Sequence, residues 1–139
     1  MYLLFLKSLF VLKKYIIQKI NTTVFTEPYK LMKNIDGVTQ YLKKQMQKEH
    51  DSEHQVLELI KTINNDLLCY LQDDDEREYY RVYDFIENAE AYDYSTDLNV
   101  VYKTGQAFGN FQKILRDYPI DKLYETIKDF HNTEKRFQT

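Results

Sequence analysis

The chain is poor in the residues that punctuate or cross-link a fold. Its 139 residues hold one cysteine, two prolines, three glycines and no tryptophan. A lone thiol, Cys69, excludes an internal disulfide and a cysteine-built zinc site, and a reducing, cytoplasmic setting is the expectation. Three glycines leave no glycine-rich phosphate loop. Long apolar runs are missing too. The start, MYLLFLKSLFVLKKYIIQKI, is broken by Lys7, Lys13, Lys14 and Lys19, and its longest uninterrupted run is Met1–Leu6. A spanning helix needs about twenty nearly unbroken apolar residues. A secretory signal places its positive charge ahead of the apolar stretch and a small-residue cleavage site behind it. Neither pattern is present, so a buried strand or helix is expected here rather than a membrane segment. A net charge of -3 gives no electrostatic reason to expect nucleic acid.

What is present is ordinary in bulk and unusual in detail. Hydrophobic residues make up 43% and charged residues 29%, and a chain of this length can bury a core as one domain. Thirteen tyrosines and eight phenylalanines carry the aromatic content.

The patterning reads as α+β. YIIQKIN (15–21) is short and β-branched, as a strand requires. Thr26 as a cap and Pro28 in the first turn open a helix in which Leu31, Ile35, Val38, Tyr41 and Leu42 recur at helical spacing to about Gln47. Gly37 is a weak spot in it or a close-packing point. Residues 48–53 read as a polar loop. QVLELIKTI, then Asn64-Asn65-Asp66, then LLCYLQ reads as a hairpin, with Cys69 in its core. A second turn at 73–76 leads to YYRVYDFIE, where Tyr80, Val82, Asp84 and Ile86 share one face and Tyr79, Arg81, Tyr83, Phe85 and Glu87 the other. Thr96 caps a helix to about Asp117, Pro119 breaks it, and a short helix follows over Asp121–Ile127. Gly105 and Gly109 inside the longer helix cost it about 1 kcal/mol each against alanine, which implies a neighbour pressed against the backbone there.

Two constellations are set aside. His50 and His54 flank acidic residues, but HDSEH departs from the zinc-protease pattern and reads as a solvated loop. The acidic run Asp73–Glu78 reads as a hairpin tip, with weak calcium binding as the alternative.

In order along the chain, YIIQKIN, VFTEP, NIDGVTQYL, YYRVYDFIE, GQAFGNFQ and LYETIKDFHNTEKRF together resemble one family, over about residues 15–137. It is the sugar kinases of the aminoglycoside-phosphotransferase type, above all the N-acetylhexosamine kinases. FHNT-x-KRF is the most specific element and GQAFGNFQ the next. The resemblance implies a kinase-like amino-terminal lobe, an antiparallel sheet plus one helix, over residues 15–88. An atypical apolar start (1–14) precedes it, and a linker with the first helices of a second lobe (89–139) follows.

The resemblance also implies a nucleotide site between lobes, with ATP and Mg2+. Lys19 would neutralise phosphate charge, provided Ile17 and Lys19 share a face; the alternative is a surface lysine on an edge strand. Its carboxylate partner on the following helix would be Glu27 or Asp36, although Lys33 stands where an acid is expected. Phe85, Ile86 and Glu87 would form the hinge that meets adenine, or else a plain strand end. His131 and Asn132 would meet sugar hydroxyls and Lys135 or Arg136 a phosphate or acetamido carbonyl, unless Asn132 or Thr133 simply caps a helix.

Two departures from the family shape the expected activity. The family's glycine-containing strand–turn–strand is replaced by MYLLFLKSLFVLKK, and the His-x-Asp-type loop with its trailing Asn and the acidic magnesium motif are missing. The reading is therefore a fragment of an ATP-dependent phosphotransferase acting on an amino sugar, inactive alone: a truncated reading frame, one piece of a longer enzyme, or half of a split one whose missing lobe is a separate chain. The rival is a non-catalytic interaction module that exposes Phe108, Phe111 and Leu115. A third, a membrane-tethered accessory protein, rests only on residues 1–12.

Overall fold

A computed structural model describes residues 2–7, 12–48, 56–73 and 76–138, and the fold is mixed α+β. Strands β1 (Tyr2–Lys7) and β2 (Leu12–Lys19) pair antiparallel, from Tyr2 opposite Ile17 to Lys7 opposite Leu12. Helix α1 (Pro28–Lys48) follows. Strands β3 (Leu59–Ile60), β4 (Cys69–Asp73) and β5 (Glu76–Asp84) complete a five-stranded sheet. Helix α2 (Leu98–Leu115), a short 3-10 turn (Ile120–Lys122) and helix α3 (Thr133–Phe137) end the chain. No helix among the described residues is long and apolar enough to cross a membrane.

Alternation along β2 and β5 decides where the core forms. Ile16 faces Tyr83 and Gln18 faces Arg81, so these residues share one face of the sheet. Helix α1 packs there. Its first turns place Leu31 and Met32 against Ile20 and Leu68, with Phe25, Ile35, Leu59, Leu67 and Tyr79 around them, and Met32 is wholly buried. The Arg81 guanidinium crosses this interface, giving two hydrogen bonds to Gln18 Oε1 at 2.9 and 3.0 Å and lying 4.0 Å from Met32 Sδ.

The helix starts one residue later than the capping pattern predicts. Lys30 and Leu31 donate to the Glu27 carbonyl, which puts Glu27 at the cap and Pro28 at the first helical position. Proline's fixed φ and missing N–H suit that place. The same one-residue shift occurs at α2, where the Asp97 carboxylate, not Thr96, accepts from the Asn99 N–H at 2.9 Å. The helix expected over Asp121–Ile127 shrinks to the 3-10 turn, and the last helix lies further on, at α3.

The expected hairpin between QVLELIKTI and LLCYLQ does not form. β3 and β4 both pair with β5 and not with each other. Leu59 and Ile60 face Tyr83 and Val82, while Cys69 faces Tyr80, so residues 61–68 are accommodated opposite Arg81 alone. They form one interrupted strand with an excursion. Thr62 ties that excursion, its N–H donating to the Asp66 carbonyl at 2.9 Å and its hydroxyl accepting from the Asp66 N–H at 3.0 Å. Asn65 sits at φ 67°, the left-handed region that asparagine tolerates. The turn residues act as expected, but the chain returns to the same edge and resumes its direction. Cys69 is exposed rather than core, because it pairs with Tyr80 on the face that α1 does not cover.

Of the glycines, Gly37 is the crowded one. A Cβ there would lie 2.6 Å from the Tyr118 hydroxyl. Tyr118 is held in turn by an edge-to-face contact with Tyr41, ring centres 5.2 Å apart. Nothing stands within 4 Å of a Cβ at Gly105 or Gly109, so the close neighbour expected at those positions is not found among the described residues. Helix α2 buries none of its residues fully, and Leu98 and Phe108 remain 83% and 66% exposed.

The residues His50, His54, Asp74 and Asp75, and most of the predicted 48–53 loop, lie outside the described residues.

Candidate functional site

The sheet face opposite α1 carries the sequence-predicted lysine. Ile17 faces Val82 and Lys19 faces Tyr80, so Ile17 and Lys19 do share a face. β2 is interior, with β1 on one side and β5 on the other, although Lys19 extends past the last pairing with β1, at Ile17. Its side chain is 52% exposed.

The acid beside Lys19 comes from the sheet rather than from α1. The Lys19 ammonium pairs with Glu78 Oε1 on β5. The Tyr80 hydroxyl donates to the other oxygen, Oε2, at 2.6 Å. These two donors, the ammonium first, hold the Glu78 carboxyl below its usual range. The helix acids are engaged elsewhere: Glu27 accepts from Lys30 at 2.7 Å and Asp36 from Gln40 at 2.8 Å. The geometry explains why, since α1 lies under the Gln18–Arg81 face while Lys19 stands on the other.

The predicted hinge begins as a continuation of the sheet. The Phe85 N–H donates to the Lys14 carbonyl at 3.2 Å. Lys14 Nζ reaches Glu87 Oε2 at 3.1 Å and lies 5.2 Å from the Phe85 ring centre. The backbone of Ile86 and Glu87 therefore lies beyond this last ladder bond, where the chain turns through Asn88 at φ 57°. Lys19 and Phe85 stand at opposite ends of the paired segment, about 16 Å apart at ~3.3 Å per residue.

FHNT-x-KRF folds on itself. Asn132 accepts from the Lys135 N–H at 3.1 Å, capping α3, and its amide donates to Asp129 at 3.3 Å. Lys135 Nζ pairs with Asp129 at 2.6 Å, and this ammonium, then Asn132, depresses the Asp129 carboxyl. The Arg136 guanidinium lies 4.7 Å from the Phe130 ring centre, and the His131 ring meets Phe130 edge-on at 4.8 Å. The capping role considered for Asn132 is present in the fold. Tyr124, Glu125, Phe130 and His131 help to wall an adjoining cavity of about 370 Å³.

A larger cavity, about 550 Å³, opens between α1 and α2, walled by Ile35, Val38, Leu42, Leu57, Phe111 and Ile114. It contains none of the predicted site residues. Among the described residues no group of three His, Cys, Asp or Glu side chains stands together as a cluster that could hold a metal ion.

Sequence reasoning missed Glu78. The alternation along EREYYRVYD puts Glu78 and Tyr80 on one face, but only the register between β2 and β5 brings Lys19 to them. No known protein-family model matches the chain.

Proposed function

We propose that this chain supplies the nucleotide-binding lobe of an ATP-dependent phosphotransferase of the N-acetylhexosamine-kinase kind, within the aminoglycoside-phosphotransferase type. In that reaction the γ-phosphate of ATP passes to the anomeric hydroxyl of an N-acetylhexosamine. The observation that carries the reading is the shared face of Ile17 and Lys19 on β2, immediately before α1, with β5 alongside running out into the Ile86–Glu87 connector. An apolar floor from Ile17 and Val82 beside an exposed ammonium suits a base and its phosphates. Phosphoryl transfer is mainly positioning and charge stabilisation. Lys19 supplies part of the second. The catalytic Asp loop and its magnesium acids are not among these 139 residues, so the chain alone binds nucleotide without turnover.

Calorimetry of Mg-ATP binding to wild type and Lys19→Ala tests this. Micromolar to low-millimolar binding, weakened by the substitution, supports the reading. No binding by a folded chain overturns the nucleotide site, and a measurable kinase rate overturns the need for further groups.

The second reading, a non-catalytic interaction module, is favoured by α2. Leu98, Val101, Phe108 and Phe111 leave apolar surface exposed along one helix, and such surface is characteristic of partner contacts. A folded chain that binds no nucleotide but self-associates in sedimentation velocity supports this reading over the first.

A further inference from the structure

We propose that the cleft between α1 and α2 binds a single-chain amphiphile, a hydrocarbon tail with one anionic head, of the fatty-acid kind. The sequence builds this cleft from two apolar stripes. Ile35, Val38, Leu42 and Met46 recur at helical spacing on α1, and Ala107, Phe111 and Ile114 do so on α2. Such stripes ordinarily meet and bury each other. Here they face each other across about 550 Å³ of space, and α2 buries none of its residues fully. Tyr118, just beyond α2, stands against Gly37 and Tyr41, so α2 is held beside α1 without closing onto it. The volume lies within the ~300–1,000 Å³ range of small-molecule sites.

The polar groups decide which end of the ligand goes where. On the apolar wall, Asn34 is already bonded to Tyr124, and the Thr39 hydroxyl donates to the Ile35 carbonyl at 2.8 Å. The third polar residue there, Asn110, is exposed, so the wall suits hydrocarbon. Thr39, Val56 and Leu57 also line a smaller recess of about 220 Å³, so the two spaces adjoin. Asp36, Lys43, Glu58 and Lys61 stand around that recess. Lys43 Nζ meets Glu58 Oε1 at 3.3 Å, and Asp36 accepts from Gln40 at 2.8 Å. Lys61 is exposed and makes no ion pair among the described residues. One unspent ammonium at the polar end of an apolar cleft matches one anionic head, and the remaining charge of Asp36 disfavours a head with more than one. Neither Lys19 nor the Phe85–Glu87 connector lines either space, so this cleft and the nucleotide site are separate.

Calorimetry of the full chain with dodecanoate, kept below its micellar range, and with dodecanol tests this on wild type, Ala107→Phe and Lys61→Ala. Circular dichroism checks folding, and sedimentation velocity the oligomeric state. Both substituted side chains are exposed, so neither change disturbs the core. The expected result is saturable one-to-one binding of dodecanoate, weakened about tenfold or more by Ala107→Phe, which places a ring in the cleft. Lys61→Ala weakens dodecanoate about threefold to tenfold, the scale of one charge-assisted contact, and leaves dodecanol unchanged. No saturable binding by the folded chain overturns the proposal, as does wild-type binding by Ala107→Phe. Equal losses of dodecanoate and dodecanol in Lys61→Ala, or no loss of either, overturn the anionic head and with it the proposal. A chain that sediments as a dimer and excludes dodecanoate overturns it in favour of a second copy in the cleft.

Discussion

Asn34 and Tyr124 exchange two hydrogen bonds across most of the length of the chain. The Asn34 amide donates to the Tyr124 carbonyl at 2.8 Å, and the Tyr124 N–H donates to the Asn34 side-chain oxygen at 2.9 Å. Lys30 and Lys33 lie within 6 Å of the same tyrosine ring, at 5.8 and 5.9 Å. A side chain on α1 thus serves as the backbone partner that an irregular segment lacks. Asn34→Ala should cost about 1–3 kcal/mol, the net worth of two such bonds, and should release the segment around Tyr124. Hydrogen exchange should quicken at Tyr124 while the β2–β5 ladder keeps its protection.

At Gly37 steric conflict and helix propensity oppose each other. Alanine would gain the helix about 1 kcal/mol, but its Cβ would meet the Tyr118 hydroxyl at 2.6 Å. In the Tyr118→Phe background the nearest remaining ring carbon is at 3.8 Å, an ordinary contact. Gly37→Ala should therefore be neutral or destabilising by itself and stabilising when combined with Tyr118→Phe. Urea midpoints of the four chains in this cycle measure the coupling.

Gly105→Ala and Gly109→Ala meet no such neighbour, since among the described residues nothing beyond the adjoining helix backbone lies within 4 Å of a Cβ at either position. Each should raise the stability of the chain by up to about 1 kcal/mol in thermal denaturation. Destabilisation by either would mean that another molecule covers this face of α2 in solution, the outcome the interaction reading requires.

Tyr83 links stability to alkaline pH. It is 6% exposed, and burial raises its hydroxyl above the ordinary tyrosine range, against a smaller opposing effect of Arg81. Its contribution is complete below the unfolded value of about 10 and is lost as pH rises toward the folded value, because the unfolded chain ionises first. Urea midpoints between about pH 9 and 11 should fall less steeply for Tyr83→Phe than for wild type.

The two long helices and the β5 strand are legible in the sequence because their signals are local. Leu31 and Ile35 recur at helical spacing, Pro28 and Pro119 mark boundaries, and residues 79–83 alternate cleanly. Pairing is not local. Asn64-Asn65-Asp66 shows that the chain turns, but the edge it returns to depends on β5, which can host both Leu59–Ile60 and Cys69–Asp73. The same limit hides the site. Lys19 and Glu78 are brought together by the register of two strands far apart in the chain, and Cys69 changes from core to exposed for the same reason.

That register also governs the order in which the chain can fold as it is made. β1 and β2 are neighbours in sequence and can pair as soon as both have left the ribosome. The face of β2 that receives α1, however, gains its other neighbour, β5, only with residues 76–84. Until Asp84 has emerged, Ile20, Leu31 and Met32 have no complete sheet to pack against, and long-range pairing of this kind is the slow step in folding. The amino-terminal half therefore keeps the apolar side of α1 without its full sheet until the middle of its own chain has emerged.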